Sequence, residues 1–190
     1  MNAAMVSTWV WLALELVLRV RDRLRSKGST EHDGGTRLTI VLLVVIAVNG
    51  AIAIAAILPA TSVFQLPGGR LPWEIVGLAI MWFGLVVRVW AIAVLGSSFR
   101  TTVEVDTDQT VVDRGPYRWV RHPSYTGVLL ITTGLGLAAG NWISLLIAVV
   151  LPVYALNRRI DVEERALVAT IGRPYEEYRA GTKRLIPGLW

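Results

Sequence analysis

The sequence has no cysteine, only two histidines, and charged side chains at just 17% of its 190 positions. Without cysteine there is no disulfide, no thiolate nucleophile, no cysteine-held metal and no lipidated CaaX terminus, so any prenyl group belongs to a substrate. His32 stands alone in a polar loop and takes no role. One histidine without partners makes no metal site, and no metal is expected. A glycine-rich dinucleotide loop behind a strand is also missing. Gly134, Gly136 and Gly140 lie in an apolar segment that no strand precedes, where close helix packing through Gly136-x-x-x-Gly140 is the better reading. The N-terminus lacks the basic region and cleavage site of a signal peptide, so the first apolar segment is expected to remain.

What is present is oil. Hydrophobic residues make up 54% of the chain and the mean hydropathy is +0.53, which excludes an ordinary soluble domain and indicates a polytopic membrane protein. The net charge of +5 does not imply nucleic acid. The basic residues lie mostly between apolar runs, where they act as topology signals.

The expected fold is an all-α integral membrane protein of about five transmembrane helices with a cytoplasmic C-terminal helix. The spans are read at Met5–Val20, Leu38–Leu58, Pro72–Leu95, Ser124–Ala139 and Trp142–Leu156. The Arg-rich loop Arg19–Lys27 places the first connection in the cytoplasm, which puts the N-terminus outside and the C-terminus inside, with the inner (plasma) membrane as the expected location. Trp9, Trp11, Trp73 and Trp142 then fall near the outer face, Trp90 and Trp119 near the inner, and Trp82 mid-span. Residues 1–95 form three N-terminal spans, and residues 96–190 carry the chemistry. Within the apolar runs Glu15 and Arg88 sit at similar depth and are expected to pair, and Asn49 is expected to bond to a neighbouring helix.

Chemistry concentrates at Arg114–Gly127, where the chain turns basic, aromatic and polar before another apolar run. Pro123 suits the first turn of a helix, which puts His122 at the N-cap beside unpaired N–H groups and a partial positive charge. Residue types leave two readings open here, an anion-binding helix start and a basic loop touching lipid phosphates. After the fifth span, Arg159 and Glu163 are i,i+4 neighbours, Glu164 lies beside them, Gly172 and Pro174 end the helix, and Tyr175 and Tyr178 face one way on the following turn. Taken alone, this segment is better read as an amphipathic cytoplasmic helix with a surface salt bridge, worth little energetically.

The combination is more specific than its parts. Gly-Pro-Tyr-x-x-x-Arg-His-Pro-x-Tyr-x-Gly at 115–127, a helical hairpin, Arg159 with Glu163-Glu164, Gly-x-x-Tyr-x-x-Tyr at 172–178 and Arg184-x-x-Pro187 together resemble the isoprenylcysteine carboxyl methyltransferase family over roughly residues 95–190. Val162 departs from the charged residue that often precedes the glutamate pair. The resemblance implies a membrane enzyme that uses S-adenosylmethionine without a Rossmann domain and methylates a carboxylate on a lipophilic, prenylcysteine-like substrate entering from the bilayer. Carried over by position, Tyr117, His122, Pro123, Tyr125, Gly127, Glu164, Tyr175 and Tyr178 would lie at the cofactor. Arg159 would face the substrate carboxylate with Glu163 holding it, and Arg184 is a further substrate candidate. Two alternatives are a phospholipid or small-lipid N-methyltransferase, which an acceptor-facing arginine disfavours, and an NADPH-dependent sterol-type reductase, which shares an Arg-His-Pro-x-Tyr-like element.

Overall fold

The computed structural model describes residues 3–25, 36–58, 62–96 and 110–190. His32 and Arg100 fall outside them. Within the described residues the helices are α1 (Ala3–Arg25), α2 (Thr36–Ile57), α3 (Arg70–Leu95), α4 (Pro123–Ala138), α5 (Trp142–Ile171) and α6 (Arg173–Gly181), with a 3-10 turn at Gly115–Arg118 before α4. Among the described residues there is no strand, only two isolated bridges. Among the described residues three helices, α2, α3 and α5, are long and apolar enough to cross a membrane. The apolar part of α1, Ala3–Leu18, and the 16-residue α4 are shorter.

Two helices run past the boundaries expected from hydrophobicity. α1 continues through the basic stretch to Arg25, and α5 does not stop at Leu156 but carries on to Ile171. Nothing between Leu156 and Ile171 breaks a helix, and Gly172, at φ 70°, is the first residue suited to end it. At 30 residues α5 is about 45 Å long, well beyond the roughly 30 Å of a hydrocarbon core, so its polar last turns project past the apolar section. There they carry Arg159, Glu163 and Glu164.

The core is built on a seam between α3 and α4. Gly77 and Gly84 on α3 face Gly134 and Gly127 on α4, each pair offset by seven residues along its helix. A Cβ on Gly84 would come within 2.8 Å of the Gly127 carbonyl, and one on Gly134 within 2.6 Å of the Met81 amide. Backbones this close gain dispersion contacts that larger side chains forbid. Gly136 serves the other interface, with Ala148 and Leu145 of α5 against it. Gly140 is not part of that packing and instead occupies the α4–α5 turn at φ 76°.

Asn141 caps α5 by accepting from the Ser144 amide at 2.8 Å, and the Ser144 hydroxyl donates to the Ala51 carbonyl on α2. The α2–α3 connection docks on the same turn, with the Leu66 amide donating to Gly140 and the Trp142 amide to Phe64. Both connections therefore lie at one end of the bundle. At the other end Arg88 and Glu15 form the expected pair, with Nε–Oε1 at 2.6 Å and Nη2–Oε2 at 2.9 Å, while Arg88 Nη1 reaches Ser124 Oγ at 2.8 Å. Asn49 corrects an expectation: its amide donates to the Val45 carbonyl of its own helix rather than to a neighbour.

Candidate active site

Pro123 opens α4 and His122 takes the N-cap position, but its imidazole does not cap the helix. The backbone does that work, with the His122 carbonyl accepting from the Tyr125 and Thr126 amides. The ring is thus free to turn to α5, where Nε2 lies 3.2 Å from Glu164 Oε1, and it stacks on Tyr125 with the planes 14° apart.

Glu164 is the hub of this end. Buried at 3% exposure, it accepts from Arg121 Nε at 2.8 Å and Arg184 Nη2 at 3.3 Å as well as facing His122. A carboxylate out of water is costly unless charge-assisted bonds satisfy it, and here two guanidinium groups and an imidazole do. These neighbours come from three places: the loop before α4, the N-cap, and the C-terminal segment. Glu164 therefore holds the last turns of α5 against two separate stretches of chain.

The C-terminal segment is fixed by backbone pairing too. Arg121 and His122 amides donate to the Lys183 and Arg184 carbonyls at 2.8 and 3.0 Å, and the Thr126 hydroxyl donates to the Leu185 carbonyl at 2.7 Å. Arg121 Nη1 donates to the carbonyls of Arg179 and Thr182, tying down the end of α6. Sequence reasoning gave Arg121 no role. The available signal was its place directly before a histidine that must be buried. Asp161 was also missed, and it holds Arg184 Nη1 at 3.1 Å.

One helical step away, the Tyr125 hydroxyl donates to Glu163 Oε2 at 2.7 Å and lies 3.4 Å from Arg159 Nε. Tyr125 thus stands between Glu163 and Arg159, whose side chain is buried at 2% exposure. Next to them three tyrosines cluster. Tyr178 donates to the Tyr117 carbonyl at 2.6 Å, its ring centroid is 6.0 Å from that of Tyr175, and the Tyr175 hydroxyl is buried with no partner among the described residues. Burial pushes the Tyr117 phenol far up, with the Glu163 charge adding to it. Tyr175 rises for the same first reason, then through Glu164 and Glu163. Burial takes Tyr178 to about 12, partly opposed by Arg121 and the Thr182 bond. All three rings are neutral at any physiological pH.

Of the residues expected at the site, Tyr117, His122, Pro123, Tyr125, Arg159, Glu163, Glu164, Tyr175, Tyr178 and Arg184 belong to this connected cluster. Gly127 stands apart, its open face against Gly84 and Arg88 of α3. Among the described residues no group of acidic and histidine side chains could hold a metal ion.

Residues 76–169 match the family model described as isoprenylcysteine carboxyl methyltransferase. A protein-S-isoprenylcysteine O-methyltransferase of Schizosaccharomyces pombe is 33% identical over 112 residues, which cover 58% of this chain and 48% of the relative. Protein-S-isoprenylcysteine O-methyltransferase B of Arabidopsis thaliana is 33% identical over 116 residues, 59% of each. Among solved structures, a eukaryotic intramembrane Ras methyltransferase superposes with a TM-score of 0.63 at 25% identity, covering 78% of this chain and 52% of that one. The chain spans about half the length of the curated relatives it matches.

Proposed function

From the premise that the chain belongs to the isoprenylcysteine carboxyl methyltransferase family, we propose that it is an integral-membrane enzyme that methylates a carboxylate on a lipophilic, prenylcysteine-like substrate, with S-adenosylmethionine as the methyl donor. The observation that carries this reading is the bridge Arg159–Tyr125–Glu163, together with the buried Tyr175 hydroxyl, which has no partner among the described residues. The matched family model is named for carboxyl methylation and the relatives for O-methylation of isoprenylcysteine, and neither the amine-acceptor nor the NADPH-reductase alternative is favoured.

The residues fit such a donor. A sulfonium is a cation, and neutral aromatic faces with a nearby carboxylate suit it, as Tyr117, Tyr175 and Tyr178 with Glu163 provide. A buried hydroxyl without a partner costs free energy unless a ligand supplies one. When bound, S-adenosylmethionine would supply an electrophilic methyl group. The chain's part is to bring acceptor and donor to about 3–3.5 Å in line and to exclude water. Arg159 offsets the several kcal/mol of desolvating the acceptor carboxylate, and Tyr125 links its guanidinium to Glu163. Glu164 acts on the cofactor through His122 and Arg121, and Arg184 frames the substrate side from its place on Asp161 and Glu164.

The proposed topology has five spans, with residues 96–190 carrying the site on the cytoplasmic face of the inner membrane, the N-terminus outside, and a lateral path for the lipid tail. Calorimetric titration of the detergent-purified protein with S-adenosylmethionine, S-adenosylhomocysteine and NADPH tests the reading. Binding of the adenosyl compounds alone, lost in His122→Ala, is expected. Binding of NADPH instead overturns it.

A further inference from the structure

Arg118 and Arg121 lie three residues apart in one short basic segment, yet the fold sends them opposite ways. Arg121 turns inward to Glu164 and the end of α6. Arg118 turns outward, its guanidinium 4.3 Å from the centroid of the Trp119 ring, and among the described residues it makes no ion pair and no hydrogen bond. Trp119 in turn meets Trp90 of α3 edge to face at 5.9 Å. These indoles are packed against each other but remain 45% and 43% exposed.

A guanidinium on an indole face keeps its N–H edge available, and that fork matches the oxygens of a phosphate. Half-exposed tryptophans held in fixed geometry suit the boundary between hydrocarbon and headgroups, where one part of the ring is apolar and the N–H is wet. The rest of the seat lies on α3. Phe83 and Val86, seven and four positions before Trp90, are exposed on the same face of the helix. Together they make an apolar stripe of about 10 Å that leads to the Trp90–Trp119 corner. A soluble anion has no use for such a stripe. An acyl chain does.

We infer that the Arg118–Trp119–Trp90 corner is a docking site for an anionic phospholipid, with the headgroup phosphate on Arg118 and a chain along Phe83 and Val86. The site lies outside the polar cluster, and it stands whether or not the chain is a methyltransferase. Because Trp119 is three residues before His122, an occupied site also seats the loop that carries the N-cap against the membrane surface.

Native mass spectrometry of the protein released from nanodiscs of phosphatidylcholine with phosphatidylglycerol reads the retained lipid directly. The wild type is expected to keep phosphatidylglycerol in preference to phosphatidylcholine. Arg118→Gln is expected to lower that retained fraction about fivefold, the effect of one basic residue at an anionic surface. Trp119→Leu should act in the same direction, and Arg118→Lys should recover part of the loss. Circular dichroism checks that the helices are intact in each variant, as the exposure of Arg118 leads one to expect. Equal retention by wild type and Arg118→Gln, equal retention of both lipids, or displacement of the lipid by inorganic phosphate overturns the inference.

Discussion

Arg88 and Glu15, 73 residues apart in sequence, meet in a two-point ion pair between α3 and α1, and the third face of the guanidinium holds the Ser124 hydroxyl at the start of α4. One arginine thus fastens three helices beside the segment that carries His122. Removing either partner leaves the other charge buried, at a cost of roughly 3 kcal/mol. Removing both should cost little more than removing one. Thermal unfolding of Arg88→Ala, Glu15→Ala and the double variant in detergent measures this, and additive losses would contradict the coupling.

The glycine seam predicts a sharp positional contrast. Gly134→Ala places a methyl group against the Met81 amide and should destabilise by about 1–3 kcal/mol as α3 and α4 are forced apart. Gly181 has nothing within 4 Å of the same added atom and no positive φ, so Gly181→Ala should be neutral or slightly stabilising. Equal midpoints for the two variants would remove the seam from the account.

Glu164→Gln keeps the shape of the hub but takes its charge from among Arg121, His122 and Arg184. A loss of roughly 3 kcal/mol is expected, together with weaker adenosyl binding because the His122 ring then faces a neutral amide in place of a carboxylate. Arg184→Met should cost under about 1 kcal/mol, since its side chain is partly exposed and stands at the rim. The unfolding midpoints and a calorimetric titration with S-adenosylhomocysteine check both.

The Tyr175 hydroxyl allows stability and binding to be separated. Tyr175→Phe removes a buried polar atom that has no partner among the described residues, so the ligand-free protein should gain about 1 kcal/mol or stay unchanged. Affinity for S-adenosylhomocysteine should fall about fivefold to tenfold, the effect of one lost hydrogen bond. Undiminished affinity would place the cofactor elsewhere.

Much of this site was legible before any coordinates, for identifiable reasons. Glu15 and Arg88 stood out because a charge in an apolar run needs a partner, and Pro123 marked the start of α4 because few other places accept it. The Arg-His-Pro-x-Tyr and Glu-Glu segments were legible through family resemblance. Periodicity does not encode which way a coil residue turns, so Arg118 and Arg121 read alike and only packing separated them. The pairing of Lys183 and Arg184 with residues 121–122 is long-range and leaves no local pattern. The seven-residue glycine spacing across α3 and α4 was readable, but the Gly136–Gly140 pair drew the packing assignment to a turn. The end of α5 at Gly172 was legible, but the helix read as two pieces because hydrophobicity ends at Leu156, whereas helix propensity does not.

The most direct test of the central claim is transfer of labelled methyl from S-adenosylmethionine to a prenylcysteine analogue by the purified, reconstituted protein, scored as a base-labile carboxyl methyl ester. The account predicts ester formation by the wild type and a loss of at least about a hundredfold in Arg159→Ala, the scale for misplacing a reacting group, with S-adenosylhomocysteine binding retained. Label that stays out of the ester, or an Arg159→Ala variant as active as the wild type, would contradict it.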